Sequence, residues 1–197
     1  MGILFASTLI ILIFVSVHMT DELEDGMISK AETLEEEQKG EEAVQTAAEL
    51  VAIDPKDSIV WFVKGKAHYV AEQFEESLAC LAKAAELGQE NPQVWHMMAY
   101  ALVSLRRYEE AVPCLEYVVS KEPQNVEAIG ALAILHVISG DAKTARQFFD
   151  SAFGADKRVA VAMAEHFYDK FFSTSPNVPS SAKALAERVL ETAKLVK

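Results

Sequence analysis

Between Asn91 and Pro123 the apolar positions fall into two helical stripes. Trp95, Met98, Ala99 and Leu102 recur at the i, i+3, i+4, i+7 spacing of one helix face. After the polar break Arg106-Arg107, Tyr108, Ala111, Leu115 and Val118 do the same, so the pattern predicts a helix, a turn and a second helix. Moving the frame toward the N-terminus until Trp61 falls on Trp95 also puts Gly65 on Ala99, Phe74 on Tyr108, Ser77 on Ala111, Cys80 on Cys114 and Leu81 on Leu115. The same step the other way puts Ala133 on Ala99, Ala145 on Ala111, Phe149 on Leu115 and Ala152 on Val118, with Gly140 beside the turn.

Start and stop signals fall where this period needs them. Asp57 before Ser58, Asn91 before Pro92, and Asn125 before Val126 are side chains that accept from the free N–H groups of a first helical turn. Gly88, Pro123 and Gly140 mark stops, with Asp141 placed to cap the next helix. Pro113 lies inside a predicted helix and should kink it. Alternating apolar and polar runs with hairpin turns are absent, which predicts an all-helical protein.

The repeat resembles that of the tetratricopeptide family, whose unit is about 34 residues long, the separation of Trp61 from Trp95. That family places a large apolar residue, a small residue four positions on, an aromatic before its second helix (helix B), a small residue within helix B and a proline near the end. Trp61, Gly65, Phe74, Ser77 and Ala84 follow it, as do Trp95, Ala99, Tyr108, Ala111 and Pro123, and Ala133, Ala145, Phe149 and Ala152. A weaker copy precedes them, with Ala31, Ala43 and Pro55 in register but Met27 and Leu34 where aromatics are usual. The resemblance implies an all-α solenoid of antiparallel helix pairs, an α-α superhelix. Its expected repeats are a weak one at 24–57 and others at 58–91, 92–125 and 126–159, followed by a capping helix pair at 160–197 that ends in a one-sided helix from Ser180 to Val196.

Residues 2–17, GILFASTLIILIFVSV, carry no charge. The run is just short of the ~17–25 residues that span a bilayer as a helix. It has neither the basic flank nor the small-residue cleavage site of a secretory signal. The expectation is a single hydrophobic N-terminal helix over residues 1–18 acting as an uncleaved single-pass anchor. Two other readings stay open: translation from Met19, which would leave a soluble cytoplasmic scaffold, and a buried globular helix. No Lys or Arg precedes the run and the first after it is Lys30, so the side occupied by the repeats is undetermined. Residues 19–42 follow as an acidic tether and degenerate first helix.

The net charge of −12 sits mainly in residues 1–57, with 13 acidic and 3 basic side chains against 17 and 15 in the remainder. The repeats offer no basic stripe for phosphates, so nucleic acid is not an expected partner. Cys80 and Cys114 share a slot in successive repeats and should be buried free thiols, too far apart for a disulfide. His68 and His136 also share a slot, which packing explains, and no two histidines have metal-ligand spacing. Glu75-Glu76 and Glu109-Glu110 suit a helix N-terminus rather than acid–base chemistry. No enzyme, cofactor, metal or small-molecule substrate is expected.

The resemblance implies that the first helix (helix A) of each repeat lines a concave surface through its positions 2, 5, 9, 12 and 13. These are Ile59, Phe62, Lys66, Tyr69 and Val70, then Gln93, His96, Tyr100, Val103 and Ser104, then Glu127, Gly130, Ile134, Val137 and Ile138. The expected partner-binding residues are Phe62, Lys66, Tyr69, His96, Tyr100, Val103, Ile134, Val137 and Ile138. Family members that grip the acidic C-termini of Hsp70- and Hsp90-type chaperones use a Lys and Asn clamp. Ile28, Glu32 and Val63 stand at the corresponding places, which argues against that ligand. The expected function is a membrane-tethered adaptor or assembly factor that holds an apolar or amphipathic segment of another protein. The alternatives are a permanent structural subunit of a membrane complex, and a groove filled by the chain itself.

Overall fold

The computed structural model describes residues 23–88, 90–167, 183, 184, 187 and 191. All regular structure among them is helical: α1 over 23–36, α2 (Gly40–Ile53), α3 (Ser58–Val70), α4 (Phe74–Leu87), α5 (Pro92–Ser104), α6 (Tyr108–Lys121), α7 (Val126–Ser139), α8 (Ala142–Ala155) and α9 (Lys157–Phe167). The expected anchor over residues 1–18 and most of the expected final helix lie outside the described residues. No helix of the described residues is long and apolar enough to cross a membrane.

The period is most sharply visible in the backbone. Gln38, Glu72, Arg106 and Gly140 have φ of 57°, 59°, 60° and 85°, so one left-handed residue recurs every 34 positions. Each follows helix A of its pair. In the first three turns the next N–H, of Lys39, Gln73 or Arg107, reaches back to the carbonyl of Leu34, His68 or Leu102 at 2.8, 2.9 and 2.8 Å. That six-to-one bond satisfies a helix-end carbonyl and turns the chain into the next helix. Only the fourth turn uses the glycine that this conformation favours.

The N-terminal caps form as expected. Asp57 accepts from the Ile59 N–H, Asn91 from Gln93, Asn125 from Ala128 and Asp141 from Thr144, at 2.8–3.1 Å. Helix α6 runs unbroken through the exposed Pro113.

The chain forms two compact units, one up to Val94 and one from Trp95 onward. In the first, Ala31, Leu34, Ala43, Ala47, Leu50, Val60, Val63 and Ala67 make a core across α1, α2 and α3. The acidic stretch therefore contributes a helix to the core: Glu32, Glu36 and Glu37 point to solvent while Ala31 and Leu34 point inward. Helix α4 packs on α3. Gly65 permits this, since a Cβ there would lie 2.6 Å from Cγ of the buried Leu81.

In the second unit α7 is the central element, packed on α6, α8 and α9. Its run from Ala128 to Leu135 is buried without interruption, as expected of a helix that is apolar all round. Gly130 faces Met163 of α9, whose Cε would lie 3.0 Å from an added Cβ. Cys80 and Cys114 are free and buried, each in its own unit, and burial pushes both thiols upward in pKa.

Candidate functional site

In the first unit the expected lining residues Phe62, Lys66 and Tyr69 stand on α3, and all three are half-buried. The period of α3 puts Phe62, Lys66 and Tyr69 at i, i+4 and i+7, on one face. Lys66 Nζ lies 2.9 Å from Glu35 Oε2 on α1 and 5.8 Å from the centre of the Phe62 ring. Tyr69 meets Phe74 edge to face with ring centres 5.4 Å apart.

Glu35 is a buried charged side chain that the hydrophobic pattern did not single out. It is 8% exposed, and its second oxygen, Oε1, is buried with no hydrogen-bond partner. Burial raises its pKa, with the Lys66 hydrogen bond and charge opposing that shift and Glu32 adding to it. The signal was present in the period: Glu35 stands one full repeat before Tyr69, in the same helix-A slot.

A second polar chain ties α2 to α3. Gln73 donates through Nε2 to Glu41 Oε1 at 3.0 Å, and its Oε1 lies 2.6 Å from Nδ1 of the buried His68. Since the Gln73 oxygen can only accept, His68 holds its proton on Nδ1. His68 is therefore a tie between helices as well as a packed ring.

In the second unit His96, Tyr100 and Val103 are half-buried on α5. The His96 and Tyr100 rings lie 4.7 Å apart. His96 Nε2 is buried without a hydrogen-bond partner. Burial lowers the pKa of this histidine, against the smaller opposing pull of Glu127 and Glu122. Trp95 packs on Tyr117 with centres 5.0 Å apart, and its indole Nε1 is likewise buried and unpartnered. On α7, Ile134 and Val137 are only 9% and 8% exposed, whereas Ile138 is half-buried. Their burial follows from α7 carrying neighbours on several sides.

The positions compared with the chaperone clamp differ in their accessibility. Glu32 is exposed, Ile28 half-buried, and Val63 is a core residue at 2% exposure. No group of three or more His, Cys, Asp or Glu able to hold a metal occurs among the described residues.

Residues 96–160 match the family model described as tetratricopeptide repeat. No curated protein matches the chain. Among solved structures, MamA (residues 41 to end) from Desulfovibrio magneticus RS-1 superposes with a TM-score of 0.69 at 15% identity, over 88% of this chain and 94% of that one. YrrB, described as a tetratricopeptide protein with an unusual peptide-binding site, gives 0.61 at 20% identity over 86% and 89%. The first tetratricopeptide domain of Spaghetti (RPAP3), bound to the HSP90 peptide SRMEEVD, gives 0.54 at 20% identity over 57% and 91%.

Proposed function

Starting from the tetratricopeptide match over residues 96–160, we propose that the chain is a protein-interaction module in which the helix-A face of each unit, taken by itself, holds a segment of a partner. The observation that carries this reading is the state of Phe62, Tyr69 and Tyr100. Each ring is half-buried on a helix-A slot, so each offers an apolar face without being committed to the core. Aromatic side chains in that state are the usual anchors of an interface. The Lys66–Glu35 pair adds a charged, directional element beside Phe62. Two fold neighbours are described with peptide sites, YrrB and the RPAP3 domain, which supports a peptide segment as ligand.

Among the assigned lining residues, Phe62, Lys66, Tyr69, His96, Tyr100, Val103 and Ile138 have accessible surface to give a partner. Ile134 and Val137 contribute by shaping α7. The HSP90 peptide SRMEEVD belongs among the ligands to be tried, because the RPAP3 domain is bound to it. Tethering to a membrane through residues 1–18 rests on sixteen uncharged residues at 2–17. On this reading the protein is an adaptor or assembly factor.

The test is a pull-down from native membranes run beside a thermal melt. Tyr69→Ala with Tyr100→Ala should abolish capture of the partner while leaving the melt near that of the parent. Glu116→Lys, on an exposed position of α6, should change neither. Intact capture by the double variant rejects the reading, as does a collapse of stability accompanying the loss.

A further inference from the structure

We propose that one end of the first unit rests on a neutral lipid surface, an inference that depends on residues 1–18 serving as the membrane anchor. The exposed large aliphatic side chains among the described residues are Leu23 (55%), Ile59 (51%), Ile53 (38%) and Leu87 (37%). Leu23 opens α1, Ile53 closes α2, Ile59 lies in the first turn of α3 and Leu87 closes α4.

Successive helices are antiparallel, so those four places belong to one end of the unit. Turn residues 37–39 reverse the chain between α1 and α2, and Met27 and Ile28 share a core with Leu50 and Val51. One turn further out, Leu23 therefore stands beside Ile53. At α3 and α4, a Cβ on Gly88 would lie 2.6 Å from Ser58 Oγ. That close approach places Leu87 next to Ile59. The opposite end carries the left-handed turns at Gln38 and Glu72, both exposed.

The covalent path selects the occupant. Between the apolar run 2–17 and Leu23 lie residues 18–22, so the end of the run and Leu23 are at most ~22 Å apart when this stretch is fully extended. A lipid surface holding the run is thus within that reach of the end where the exposed aliphatics gather. Trp61 adds an amphipathic ring to the same end: it is half-buried, its indole N–H donates to the Pro55 carbonyl at 2.8 Å, and Lys64 lies 5.6 Å over the ring. Charge narrows the lipid class. Asp25, Asp54, Asp57, Glu86 and Glu90 stand at this end against Lys56, Lys64 and Lys83, the last paired with Glu86 at 2.8 Å, so the end keeps a small acidic excess and a zwitterionic surface suits it better than an anionic one.

The experiment uses the full chain in phosphatidylcholine vesicles. An environment-sensitive fluorophore is attached to Ile59→Cys or, at the opposite end, to Glu75→Cys. The parent, whose cysteines are buried, controls for stray labelling. Vesicles with brominated acyl chains should quench the probe at position 59 and leave that at position 75 bright, and adding phosphatidylserine should not strengthen the quenching. Equal quenching at both positions, or none at either while the protein floats with the vesicles, overturns the docking and leaves the anchor standing. A probe at 59 that is blue-shifted before lipid is added and unquenched afterwards shows the chain covering its own patch, and also overturns it. Failure of the protein to float removes the anchor reading itself and the docking with it.

Discussion

Ser77 donates its hydroxyl hydrogen to the Gly65 carbonyl oxygen across 2.7 Å, with both residues buried between α3 and α4. The small residue that the repeat pattern demands in the second helix is here also a donor, so the crossing is bonded as well as close. Ser77→Ala should cost about 1 kcal/mol, the usual net worth of such a bond. Gly65→Ala should cost more, about 1–3 kcal/mol, since Leu81 is fully buried and has no room to swing away. Ala99→Leu, at a fully buried position, should behave like Gly65→Ala. Urea unfolding of the three variants checks the order.

Three of the four left-handed turn residues carry a Cβ, which that conformation penalises by roughly 1–2 kcal/mol. Glu72→Gly and Arg106→Gly should therefore stabilise the fold by about 1 kcal/mol each after the entropy cost of glycine. Gly140→Ala should destabilise it by a similar amount. Thermal melts give the sign directly. A loss of stability in Glu72→Gly would mean that its side chain contributes more than its backbone costs.

The pH dependence of stability should carry a mark from Glu35. Its folded pKa is raised, burial being the largest cause, so in the window above the ordinary glutamate range the folded state binds more protons than the unfolded one. Stability then falls as pH rises through that window. Glu35→Gln should flatten the step. Lys66→Met should deepen it, with a larger loss at neutral pH than under mildly acidic conditions, because it strands an ionised carboxylate that is only 6% exposed. Chemical denaturation across pH reads both effects.

Gln73 holds His68 Nδ1 and Glu41 at once. Gln73→Leu should leave a buried donor unpaired and cost about 1–3 kcal/mol. Nitrogen chemical shifts of the His68 ring report the tautomer: the parent should show the proton on Nδ1, and the variant a mixture.

The period, the caps and the turn positions were legible because they depend on local chemistry: Asp57, Asn91, Asn125 and Asp141 each act on an N–H two or three residues away. The aromatic slots were legible for the same reason, since Phe62 and Tyr69 share a face by helical spacing alone. What escaped is set by pairing across helices. Glu35 reads as one more acid in a run of Glu until Lys66 of α3 is placed beside it. Ile134 and Val137 read as lining residues because spacing tells which face a side chain occupies and not how many neighbours press on that face. With α9 packed on α7, as Met163 against Gly130 illustrates, a helix expected to have one open side is enclosed on more.

The recurrence of one left-handed residue at positions 38, 72, 106 and 140 also bears on how such a chain changes length over generations. Cutting the chain at any two of the first three turns and rejoining it leaves the same left-handed residue and the same six-to-one bond on both sides of the splice. A duplication or deletion of a whole period therefore needs no new bend to be invented, while a gain or loss of any other length leaves a bend out of phase with the helices around it. Length in this family of shapes is inherited in whole steps.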